Sequence, residues 1–291
     1  MTAVTAPAVT AEPAGPRRPL RSGKLIAGLA VAGFFVLAGV LGPLFAGDPE
    51  EIGYERLMPP SAGHWLGTTN TGQDVLAQLL VATRGSLTIG VVVGVLATVI
   101  SLLVGVLGAY LGGWLDEGFS LLSNVFLVIP GLPLVILITD YLETGGPVAL
   151  ALTITITSWA GPARVIRAQT LSLRGRDYVD AARVSGERGW RIMVFEILPN
   201  LVPIIAAQLV FAVIGGILLD AALSFLGLAG GSAGSWGSML YFAQNASALS
   251  TGAWWWFVPP GLCIAVLGAG LSLINFGIDE IIDPRLRRAT S

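Results

Sequence analysis

The chain has 291 residues and a net charge of −2, with 54% hydrophobic residues and only 12% charged. Soluble domains carry about a quarter charged residues, so this composition excludes an ordinary soluble domain and points to a chain whose core is solvated by lipid. The slightly acidic balance argues against a nucleic-acid partner, which favours a basic surface. The single histidine, His64, and the single cysteine, Cys263, leave almost no material for a zinc site, a histidine-based triad or an internal disulfide. Cys263 reads as a packing residue, and no metal site is expected.

Residues 1–24 are rich in Ala, Pro and Thr and end in Arg17, Arg18, Arg21 and Lys24, which reads as a disordered tail. The apolar run 25–46 exceeds the 7–15 residues or so of a signal-peptide core and is taken as an uncleaved first span. About 20 apolar residues cross a hydrocarbon core of about 30 Å. Runs of that length predict a second span over 86–115, a third over 118–139 and a fourth over 144–163. A fifth covers 201–228 with Asp220 inside it, and a sixth covers 254–277. Residues 229–252, rich in Gly, Ser and Asn, read as a loop. Backbone polar groups in lipid must be satisfied within the segment, so the predicted fold is all-α with about six transmembrane helices.

Basic residues concentrate on the cytoplasmic side of membrane proteins. Arg164, Arg167, Arg174, Arg176, Arg183, Arg188 and Arg191 lie between the fourth and fifth spans, and Arg285, Arg287 and Arg288 follow the sixth. Both termini are therefore expected in the cytoplasm of a plasma membrane. The segment 47–85, with Asp48, Glu50, Glu51 and Glu55, falls outside; residues 86–283 form a five-span core with an inner loop over 164–200, and 284–291 form a tail. Trp254, Trp255 and Trp256 read as an interfacial aromatic belt at the outer start of the last span. Gly90 with Gly94, and Gly108 with Gly112, read as small-residue pairs that let helices approach.

A P-loop needs Gly-x-x-x-x-Gly-Lys-Ser/Thr. Lys24 is the only lysine, Leu25 follows it, and Arg18 stands where the first glycine belongs. The chain holds no ATPase of its own, and nothing in it reads as an enzyme or needs a cofactor. A carboxylate inside a membrane helix is a functional-site candidate by default. Asp220 is the one such group; it faces a translocation path, a polar partner helix or an interface.

The inner loop carries Asp180-Ala181-Ala182-Arg183-Val184-Ser185-Gly186 and, further on, Leu198-Pro199. Two short helices flanking a turn at Gly186, where glycine tolerates positive φ, make a rigid arginine-studded element suited to a partner's groove. Pro199 is expected to stop or kink the chain before the fifth span. The bland alternative is an amphipathic loop lying on anionic lipid.

This stretch resembles the EAA motif of permease subunits of binding-protein-dependent ABC transporters: E-A-A-x-x-x-G, nine residues, then I-x-L-P. Asp180 stands for the Glu, and Glu196 occupies the Ile position with Ile197 beside it. His64-Trp65-Leu66-Gly67-Thr68, Gly72-Gln73-Asp74-Val75-Leu76 and Arg84-Gly85-Ser86-Leu87 are similar to the outer region of the dipeptide, oligopeptide and nickel permeases. Asn70 and Gln73 depart from that pattern. Ser224-Phe225-Leu226-Gly227, Ser235-Trp236-Gly237 and Asp283-Pro284-Arg285 follow in the same order. The resemblance is to the second, smaller permease type.

The resemblance implies an importer in which this chain and a second homologous permease form the path. Two ATP-binding subunits would supply ATP and Mg chemistry, and an extracytoplasmic substrate-binding protein would deliver cargo. Asp180, Ala181, Ala182, Arg183, Gly186 and Pro199 would then couple to the ATPases. Cargo stays open among peptides, short oligosaccharides and nickel, although no His, Cys or Met cluster favours nickel. The alternative is a proton-coupled secondary transporter using Asp220; a membrane scaffold would leave the inner loop unexplained.

Overall fold

The computed structural model describes residues 22–141, 146–228 and 234–282. The expected tails fall almost wholly outside these residues, as does Asp283-Pro284-Arg285. The described residues fold as helices joined by turns and loops, without a named strand. Helix α1 (Gly23–Phe45) runs antiparallel to both of its neighbours. It packs on α11 (Trp254–Ile282), where Leu25 lies against Gly277, and on α2 (Val75–Leu111), where Gly42 lies against Leu80. Ser22 donates to Glu280 at 2.6 Å, so the two ends of the described chain meet at one end of the bundle.

By length and composition, four helices among the described residues are able to cross a membrane, or six if each of two bent pairs counts as one span. The second predicted span begins earlier than expected, at Val75 rather than Ser86, because Asp74 caps it by accepting from the Ala77 N–H at 2.9 Å. Gln78, Thr83 and Arg84 hid this turn in the sequence, yet Gln78 and Thr83 are buried against the chain itself.

The third predicted span is not one helix. It breaks into α3 (Gly113–Val128) and α4 (Gly131–Tyr141), which are bent by 90°. Pro130 explains the break, since it lacks an N–H and drives the preceding residue out of the helical region; Ile129 sits at φ −72°, ψ 128°. The fourth is likewise bent by 41° between α5 (Pro147–Ser158) and α6 (Ala160–Arg174), where Pro162 removes the hydrogen bond back to Ser158. Helix α6 carries Arg164, Arg167 and Arg174 on continuous helix, so much of the first third of the predicted inner loop is a helical extension.

Helix α7 (Asp177–Val184) and the short α8 (Gly189–Ile192) follow, and a π-helical turn (Met193–Ile197) leads into α9 (Leu198–Phe225). Pro199 does not stop the chain. It lies inside the helical run Gly189–Phe225, directly after the π turn, whose wider spacing accommodates the missing N–H. Helix α9 crosses α2 closely: a Cβ on Gly90 would lie 2.3 Å from Ile217, and one on Gly94 would lie 2.4 Å from Val213. Gly112, by contrast, is a terminator at φ +70°, not a packing partner of Gly108.

The predicted loop 229–252 contains a further helix, α10 (Trp236–Asn245), opened by a reciprocal capping box of Ser235 and Ser238.

Candidate functional site

At the end of the bundle where Ser22 meets Glu280, α7, Gly186 and α8 form a projecting element. Gly186 adopts φ +78° with open space around it, as a tight reversal between two helices requires. The Gly186 and Glu187 N–H groups donate to the Arg183 and Ala182 carbonyls at 3.0 and 3.1 Å, closing the end of α7. Asp180, Ala181, Arg183 and Gly186 are exposed and Ala182 half-buried. Arg183 donates to Asp180 at 2.8 Å, one turn apart on α7. The surface is also apolar: Val184 is 90% exposed and Trp190 56%.

The element is exposed but firmly rooted. Val179, Ile192 and Ile197 are buried with Val106, Ile166 and Leu201, joining α7, α8 and the π turn to α2, α6 and α9. Arg174 donates to the Ala109 carbonyl at 2.9 Å, and Arg167 forms a two-pronged ion pair with Asp116 at 2.6 and 2.8 Å. Such bidentate pairing fixes geometry as well as energy. Sequence reasoning missed these two arginines as fasteners, because their partners lie 51 and 65 residues away.

The opposite end is built from the other quoted motifs. Gly67 and Gly72 both take positive φ, and a Cβ on either would lie under 2.5 Å from a backbone oxygen. Thr68 bridges to Asp74, and its hydroxyl donates to the Glu55 carbonyl at 2.6 Å. His64 Nδ1 lies 2.7 Å from Asp74 Oδ2, which occupies that histidine nitrogen with a carboxylate. The Glu51 carboxylate beside the exposed Tyr54 phenol raises its pKa above the ordinary tyrosine value. Trp255 donates from Nε1 to the Thr68 carbonyl at 3.2 Å, and Trp256 is 3% exposed. Of the expected aromatic belt, only Trp254 is exposed; Trp255 ties the segment before α2 to α11, and Trp256 is buried with its indole N–H unpartnered among the described residues.

Above α2 lies an open cavity of about 720 Å³ between residues 49–52, the loop before α2, α10 and Trp256. Helix α10 supplies Phe242 and Asn245 to its wall. Among the described residues no three His, Cys, Asp or Glu side chains gather as a metal site would require.

Asp220 is not near the projecting element. It is fully buried, and Oδ1 accepts from the Ser224 hydroxyl at 3.2 Å. Ser235 donates to Ser224 at 3.2 Å, while Ser86 accepts from the Trp236 N–H at 3.0 Å. Asp220 thus lies on α9 beside the start of α10, with Oδ2 buried and without a hydrogen-bond partner among the described residues.

A bundle of long apolar helices with one rooted, exposed element at one end fits a multi-pass membrane protein. Residues 97–288 match the family described as binding-protein-dependent transport system inner membrane component. The dipeptide transport system permease protein DppC of Bacillus subtilis is 31% identical over 279 residues, covering 93% of this chain and 85% of the relative. The oligopeptide transport system permease protein OppC of Mycobacterium tuberculosis is 32% identical, covering 93% and 94%. A putative peptide transport system permease protein of Brucella suis is 33% identical, covering 93% and 91%. The chain belongs to the binding-protein-dependent inner-membrane permease family, and its place is a bacterial inner membrane.

Proposed function

We propose that the chain is the smaller permease subunit of an ABC importer for dipeptides or oligopeptides, working without catalysis of its own. The observation that carries this reading is the exposed α7–Gly186–α8 element, which is rooted in three other helices yet offers Val184, Trp190 and Arg183 outward. Exposed apolar side chains on a rigid element suit a protein groove better than solvent. Asp180, Ala181, Ala182, Arg183 and Gly186 form the docking face, and Pro199 begins the helix behind it. ATP and Mg act in two partner ATP-binding subunits. A second homologous permease completes the path, and an extracytoplasmic binding protein delivers cargo.

In this reading both termini and the α7–α8 element are cytoplasmic, and residues 47–74 face outward. The excess of arginine at the inner end supports that orientation. The peptide transporters named among the relatives support the cargo class. ATP binding would close the ATPase pair and shift a two-state bundle between inward-open and outward-open forms.

The test is gentle extraction of the tagged chain from native membranes and identification of what copurifies. A second permease together with P-loop ATPases is the expected result. Recovery of the chain alone, with uptake that collapses when the proton gradient is removed, would overturn the reading in favour of Asp220-based secondary transport.

A further inference from the structure

The inner element and the outer cavity are joined by one continuous run of helix. Gly189–Phe225 spans 37 residues through α8, the π turn and α9. From Leu198 to Asp220 the helix rises about 33 Å, at roughly 1.5 Å per residue. At its upper end the helix meets α10 through a polar and very close contact. A Cβ on Gly237 would lie 2.6 Å from the Ala221 backbone, and one on Gly85 would lie 1.8 Å from the Gly234 carbonyl oxygen. The start of α10 is thus wedged in close contact with both α2 and α9.

Asp220 stands at the centre of this wedge. Its carboxylate receives Ser224, Ser224 receives Ser235, and Ser235 is the N-cap of α10. Burying a carboxylate is costly unless its surroundings compensate; here the hydroxyl chain from Oδ1 leads to the start of α10, while Oδ2 has no hydrogen-bond partner among the described residues. Helix α10 then carries Phe242 and Asn245 to the cavity wall.

We infer that Asp220 is a positioning residue that fastens α10 to α9, so that displacement of the α7–α8 element is delivered to the outer cavity wall. The inference rests on the importer reading. Loss of the carboxylate leaves α9 free to move while α10 no longer follows it. Coupling between distant sites needs a demonstrated two-state element that both ends bias, so the test measures each helix separately.

In a Cys263→Ser background, single reporters are placed at Asn245→Cys on α10 and Asn200→Cys at the start of α9. Their maleimide labelling rates are compared in the complete complex, in lipid nanodiscs, with and without ATP and vanadate. With Asp220 intact, both rates are expected to change on nucleotide trapping. In Asp220→Ala the α10 response is expected to vanish while the α9 response persists, and Ser235→Ala should reproduce that selective loss.

An α10 reporter that never responds, or one that responds equally in both variants, overturns the inference. So does simultaneous loss at both helices in both variants, which marks a merely structural role. An α9 reporter silent with Asp220 intact would instead count against the importer reading, so the two failures are distinguishable.

Discussion

The two ends of this bundle carry sequence motifs of similar strength but use them in opposite ways. At the end that carries α7 and α8, the inner end in the proposed orientation, Asp180, Ala181, Arg183 and Gly186 are exposed. At the opposite end, taken as the outer one, Gly67, Thr68, Gly72, Ser224, Ser235, Trp236 and Gly237 are buried within the chain, while Trp65, Arg84 and Leu226 of the same motifs are exposed. Exposed residues are free to meet a partner; buried ones serve the fold. The outer residues set backbone reversals, caps and close contacts, and in doing so hold the cavity walls. The inner residues set a surface.

The comparison is most easily broken at Gly186. Substitution Gly186→Arg places a side-chain residue at positive φ, costing about 1–2 kcal/mol, but in open space on an exposed turn. Membrane insertion is expected to remain normal while peptide uptake falls to background. Uptake at the normal rate in cells expressing this variant would remove the docking assignment.

At the outer end the expected loss is one of folding. Gly85→Val drives a side chain into the Gly234 carbonyl, where even a Cβ would lie 1.8 Å away. Overpacking of this kind costs about 1–3 kcal/mol, and the affected contact seats α10 between α2 and α9. Lower inserted protein and a lower melting midpoint in detergent are expected. If this variant instead kept full stability and lost only uptake, the outer motif would be a docking surface too.

A smaller effect is expected from Trp255→Phe, which keeps an aromatic ring but removes the donor to the Thr68 carbonyl. A hydrogen bond of this kind contributes about 1 kcal/mol net. The consequence should be local: faster proteolytic cleavage within residues 47–74, with the helices intact. Unchanged cleavage would mean that apolar packing alone clamps the outer segment.

The difference between the ends also explains what the sequence made legible. Long apolar runs announced the helices, because lipid demands both length and internal hydrogen bonding. The Gly186 turn was legible because its requirement is local. The bends at Pro130 and Trp159 were written in the chain, at Pro130 and Pro162, yet unbroken hydrophobicity masked them. Helix α10 was not legible: its Gly, Ser and Asn neighbours look like loop, and its signal was the spacing of Ser235 and Ser238. Its remaining support comes from Ser86 and Thr83, about 150 residues away, at 3.0 and 3.2 Å from the Trp236 nitrogens. Asp220 was visible as an anomaly, but the hydroxyl chain beside it was not, because Ser235 lies 15 residues further on, at the start of α10.

The finest test of the comparison is also the smallest in energy. Arg183 pairs with Asp180 one turn away, and both side chains are largely in solvent, at 39% and 60% exposure. Exposed pairs at this spacing add about 0.2–0.5 kcal/mol at most, so Arg183→Ala should leave the melting midpoint of the purified chain essentially unchanged. If the inner surface serves a partner, the same substitution should weaken retention of ATPase subunits during purification by more than that stability change accounts for. Measuring both on one preparation separates the roles: retention lost with stability intact keeps the inner element as a surface. A melting point that drops with retention unchanged would instead make Arg183 a fastener of its own fold, like the residues at the other end.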